Sequence, residues 1–148
     1  MKEKLTILLA LILLASCSLS SSQESKLNHV LGSYIKANNE KNSLVLIGLT
    51  HPTVVDFYQS QSDTLFLTHF ITDNEYKQLL NPFYITTLED SEWIERVYSV
   101  KINDYLSKKT QKLFVISEDH GENWFVVTQK DYFNKSIPLR KHLYAKTS

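Results

Sequence analysis

The sequence predicts an α+β domain, with N-terminal helices packed on a curved, cone-like antiparallel sheet and a short C-terminal helix closing it. Three observations predict this. Apolar residues recur at helical spacing through the first half of the chain, up to Ile71. After Asn81-Pro82 the composition shifts to aromatic and β-branched residues, many of them alternating. The two patterns are segregated along the chain, which favours helices on an antiparallel sheet over a wound parallel one.

The elements follow in order. From Lys26 to Lys41, Leu27, Val30, Leu31, Tyr34, Ile35 and Ala37 form one helical stripe, with Ser25 as its expected N-cap. A short apolar run covers Leu44 to Leu49, and Thr50-His51-Pro52 then restarts the chain, because proline suits the first helical position and not the interior. Val54, Val55, Phe57 and Tyr58, then Leu65 through Ile71, predict one or two further short helices. Strands are expected at Phe83–Thr87, Ile94–Tyr105, Lys112–Ser117 and Trp124–Thr128, with a terminal helix within Tyr132–Tyr144 docked across the sheet.

Composition bounds the functions open to this chain. Its 16 basic and 16 acidic residues balance, and without the first 16 residues the remaining 132 carry a charge of −1. Nucleic-acid binding needs a clustered positive face, so nucleic acid is excluded as a partner. Cys17 is the sole cysteine, which excludes an internal disulfide and a cysteine-ligated zinc site. No His-x-x-x-His pair, glycine-rich phosphate loop or Gly-x-Ser-x-Gly elbow occurs, so no metal or cofactor is expected.

The first 16 residues read as a secretory signal, with a weakly basic start and an apolar run from Leu5 to Leu14. That run is too short for the roughly 20 apolar residues of a spanning helix. It ends in Leu14-Ala15-Ser16-Cys17, an aliphatic residue, two small ones and a cysteine, which resembles the lipobox of bacterial lipoproteins. The resemblance implies cleavage before Cys17, lipidation of its thiol and a membrane partner held through that anchor. Ser18 in place of an aspartate implies the outer membrane, facing the periplasm. Residues 17–25 are expected to be the lipidated cysteine and a serine-rich tether, and residues 26–148 a single domain.

Two further resemblances concern the mature chain. Ser117, Asp119, Gly121 and Trp124 match S-x-D-x-G-x-x-W, which resembles the Asp-box turn of sialidase-type propellers. One copy in a chain of this length cannot build a propeller, so the element is expected to be a structural hairpin turn without sialidase activity. From Leu27 to Leu143 the order of elements resembles the nuclear-transport-factor-two-like superfamily, through Tyr34-Ile35-Lys36-Ala37, His51-Pro52-x-Val54-Val55-x-Phe57, Trp124-Phe125-Val126-Val127 and Ile137-Pro138-Leu139. That resemblance implies a pocket between helices and sheet, used by different members for small apolar ligands, catalysis or dimerisation.

The function expected is a non-enzymatic envelope lipoprotein that binds a partner protein or a small apolar ligand. Phe57, Phe66, Phe70, Phe83, Trp93 and Phe114 are the aromatics available to line a pocket, or simply to fill the core. An alternative is an acid–base enzyme of the isomerase or dehydratase kind, for which Asp56 and His69 are the candidate catalytic residues; a solvated Asp56 and a core His69 are the plainer reading. A second alternative is an immunity or inhibitor lipoprotein. Glu89-Asp90-Ser91-Glu92 reads as a solvated acidic loop.

Overall fold

The structure is a computed structural model and describes residues 19–70, 75–79, 84–87, 92–103 and 109–139. The segment expected to be a signal, Cys17, Phe83 and most of the run 89–92 expected to be an acidic loop lie outside the described residues. Helices come first: α1 (Ser21–Asn39), α2 (Ser43–Leu49), α3 (Pro52–Gln61) and α4 (Asp63–His69). The strands β1 (Glu75–Leu79), β2 (Tyr84–Thr87), β3 (Ile94–Asn103), β4 (Thr110–Ser117) and β5 (Phe125–Thr128) follow, with the short helix α5 (Gln129–Tyr132) after them. The α+β arrangement expected from the sequence is therefore present, as helices followed by a curled antiparallel half-barrel and a short C-terminal helix.

Helix α1 begins inside the segment expected to be a tether. Ser20 is its N-cap, accepting from Gln23 N at 3.2 Å, and the Gln23 side chain accepts from Ser20 N at 2.8 Å. This reciprocal capping box satisfies two amide groups that a helix start leaves open, so serine-rich sequence becomes a helix start, and Ser25 lies within the first turns. Leu19 packs partly buried against the core. At the other end Lys41 adopts a left-handed φ of 57°, and Asn42 N donates to Ala37 O at 2.8 Å. Asn42 then caps α2 by accepting from Val45 N at 3.2 Å.

The sheet is antiparallel, with order β1-β3-β4-β5; β2 also pairs with β3. β1 takes the C-terminal half of β3 and β2 the N-terminal half, so two short strands share one edge of a long one. β1 was not expected from the sequence. At the opposite edge Thr50 bridges Val126 in parallel and His51 N donates to Val126 O at 3.1 Å, which places the start of α3 against β5.

Alternation along the strands divides the core between the two faces. Ile94, Tyr98, Val100, Leu113, Val115 and Val126 pack with Leu27, Leu31, Tyr34 and Ala37 of α1 and Leu46 of α2. Trp93, Val97, Phe114, Ile116 and Val127 pack with Val54 of α3, Tyr132, Ile137 and Leu139. Among the described residues the C-terminal helix is Gln129–Tyr132, and residues 140–144 of the segment in which it was expected lie outside them. Beyond it the described chain runs irregularly to residue 139, and Ile137 and Leu139 are still buried on the sheet. Pro138 offers no N–H for a helical bond there, which fits that irregular path.

Candidate functional site

Asp131 gathers a buried polar cluster from α3, α4 and α5. It is the third residue of α5, where Thr128 is the N-cap: Asp131 N donates to Thr128 Oγ1 at 3.3 Å, and that hydroxyl donates to Asp131 Oδ2 at 2.7 Å. The carboxylate is 1% exposed. Tyr58 of α3 donates its hydroxyl to Oδ1 at 2.9 Å, and Nε2 of His69, at the end of α4, lies 3.1 Å from Oδ2. Burial alone would raise the Asp131 pKa. The bond and charge of His69, with the Thr128 and Tyr58 hydroxyls, outweigh it and hold the carboxyl below the usual aspartate value.

The His69 ring is fixed on two sides. Tyr58 stacks on it with centroids 3.5 Å apart and an interplanar angle of 16°, and Phe70 meets it edge-on at 4.8 Å. An ionised Asp131 accepts the hydrogen carried on His69 Nε2. The same negative charge, together with burial as the larger cause, raises the phenol pKa values of Tyr34, Tyr58 and Tyr76, the last to about 12. The cluster is thus a buried carboxylate bonded to one imidazole, one neutral phenol and one hydroxyl.

Of the two acid–base candidates read from sequence, the fold brings His69 to this cluster and leaves Asp56 out of it, on the exposed face of α3. The partner is Asp131, which sequence reasoning passed over. A signal existed: Thr128-x-x-Asp131 is a helix-cap pattern. A cap predicts a solvated carboxylate, whereas this one is buried by residues 62 and 73 positions earlier in the chain.

A second site lies at the turn after β4. Ser117 Oγ donates to Asp119 Oδ1 at 2.8 Å and accepts from Gly121 N at 2.8 Å. Asp119 also accepts from Asn123 N at 2.8 Å and from Asn123 Nδ2 at 2.6 Å. Trp124 Nε1 donates to Gly121 O at 3.0 Å, and Gly121 has φ 82°. All four residues of the S-x-D-x-G-x-x-W pattern therefore act within one turn. Gln23 Nε2 donates to His120 O, and Lys26 Nζ lies 2.5 Å from Glu122 Oε2, so the turn is tied to the first helical turns.

Beside this turn is an open groove of about 400 Å³, lined by Lys26, His29 and Val30 of α1, Gly48 of α2 and residues 122–125. Behind Phe125 stands His51, 2% exposed, its ring edge-on to Phe125 at 5.7 Å. His51 Nδ1 caps α3 by accepting from Thr53 N at 3.3 Å, and Nε2 lies 3.5 Å from Glu118 Oε1. Burial lowers the His51 pKa against the upward pull of Glu118. Among the described residues no three His, Cys, Asp or Glu side chains form a group able to hold a metal ion.

The chain matches no family model, no curated protein and no solved structure.

Proposed function

We propose that the chain is a lipid-anchored envelope protein whose folded part is a non-enzymatic binding module held close to the bilayer. The observation that carries this reading is the closeness of the lipobox to folded structure: Ser20, the N-cap of α1, stands three residues after Cys17. Three residues span at most about 10 Å, so an acylated Cys17 would hold the module against the membrane. The open groove beside the turn after β4 supports binding as the activity. Helices packed on a curled sheet also support the likeness to the nuclear-transport-factor-two-like superfamily. The test is the intact mass and membrane partition of the wild type against Cys17→Ala in a bacterial host. A lipid mass increment and membrane fractionation, both lost in the variant, are expected; an unlipidated, soluble wild type overturns the reading.

A second reading is an acid–base enzyme, favoured by the Asp131–His69 pair with Tyr58 on the same carboxylate. It requires a small carbonyl or hydroxyl substrate that gives up or takes a proton at this pair. Loss of that turnover in His69→Gln and in Asp131→Asn, with folding retained, is its test.

A further inference from the structure

We infer that the groove between α1, α2 and the turn after β4 binds a neutral, hydroxyl-rich ligand of the disaccharide class. The inference rests on reading the domain as a binding module and names that module's ligand chemistry. The groove, at about 400 Å³, falls in the lower part of the ligand-site range of about 300–1,000 Å³ and is open to solvent, which leaves room for a ligand of two sugar rings.

Charge selects against ions. Lys26 and Glu122, the opposite charges on the rim, are paired at 2.5 Å, so neither an anion nor a cation finds an uncompensated partner there. An entirely apolar ligand is disfavoured too, because covering that pair would desolvate it without new hydrogen bonds. A hydroxyl-rich ligand meets neither obstacle. His29 is exposed and, among the described residues, its imidazole makes no hydrogen bond, which leaves a donor and an acceptor facing solvent. Asn123 spends its amide N–H on Asp119 Oδ2 and keeps its carbonyl oxygen for another donor.

The apolar part suits the C–H face of a sugar ring. Val30 and Phe125 are half-buried beside Trp124, and a Cβ built on Gly48 meets nothing within 4 Å, so the missing side chain leaves room in the groove. The wall is also preorganised: Asp119, Asn123 and the Trp124 indole are fixed by the bonds of the turn, so little ordering remains to be done on binding.

The test uses the full chain purified in a non-glycosidic detergent, titrated calorimetrically with N,N′-diacetylchitobiose, a sulfated disaccharide as anionic probe and indole as apolar probe. The neutral disaccharide should bind at least about 10-fold more tightly than the other two. Gly48→Leu, a substitution the helix accepts and the open space admits, should weaken it by about 10-fold or more, and His29→Ala by several-fold. No binding of the neutral disaccharide, or binding that Gly48→Leu leaves unchanged in a folded protein, overturns the inference. If indole or the sulfated probe binds in a Gly48-dependent way instead, the ligand class fails while the binding module stands. If none of the three probes binds, the binding-module reading loses its support along with the ligand class, and membrane partition remains a separate measurement.

Discussion

The side chain of Asn39 grips the main chain of Tyr76 at both of its polar groups: Tyr76 N donates to Asn39 Oδ1 at 2.8 Å, and Asn39 Nδ2 donates to Tyr76 O at 2.9 Å. One amide at the end of α1 thus takes the place of a neighbouring strand at the outer edge of β1 among the described residues. Sheet edges left open invite pairing with other chains, and this one is covered where Tyr76 is buried. Asn39→Ala should lose both bonds, at about 1–3 kcal/mol by urea denaturation. It should also speed amide exchange in β1 more than in β4, and equal effects on the two strands would show that the amide does not hold that edge.

The turn after β4 makes a sharper prediction. Gly121 has φ 82°, and a Cβ there would meet Gln23 Cγ at 2.9 Å. Gly121→Ala therefore combines a strained backbone with displacement of the glutamine that closes the α1 capping box, for a cost of about 2 kcal/mol or more in thermal unfolding. Gln23→Ala removes the steric conflict, and in that background the cost of Gly121→Ala should shrink towards the backbone strain alone. Additive effects would place the whole cost on the backbone.

Residue pattern made some of this readable. The stripe Leu27, Leu31, Tyr34 and Ala37 lies on the buried side of α1 because helical spacing alone decides which side that is. Glu75-Tyr76-Lys77-Gln78-Leu79 gave no strand signal, since polar residues surround Tyr76 and the strand owes its place to β3 and to Asn39. Asp56 has the apolar neighbours Val55 and Phe57 in sequence, but on a helix the buried position is Val54, and Asp56 lies about 200° around from it on the exposed side. Asp131 was out of reach because its burial depends on helices that are distant in sequence.

That carboxylate should govern the acid side of the stability curve. Its pKa is depressed in the folded state, so its contribution is present above the unfolded aspartate value near 4 and is lost as pH falls through the folded value. Asp131→Asn should cost about 2–4 kcal/mol at pH 7, because Tyr58, His69 and Thr128 lose a charged acceptor, and should flatten the stability profile below about pH 4. Urea denaturation across pH 2–7 reads both effects; an unchanged acid limb would assign acid unfolding to other carboxyls.

Glu95 acts in the opposite direction. It is fully buried on β3, with Trp93 Nε1 at 3.4 Å from Oε2, and burial pushes its pKa up to about 7 against the downward pull of the Tyr132 hydroxyl and the Trp93 N–H. A carboxyl with a raised folded pKa adds stability that is fully present below its unfolded value of about 4.5 and is lost as pH rises through about 7. The wild type should therefore weaken between pH 5 and pH 8, by up to about 3 kcal/mol from this group. Glu95→Gln keeps the shape and removes the ionisation, so it should match the wild type near pH 5 and exceed it at pH 8. Urea midpoints at the two pH values decide the matter, and parallel behaviour of the two proteins would mean that Glu95 stays charged inside the core.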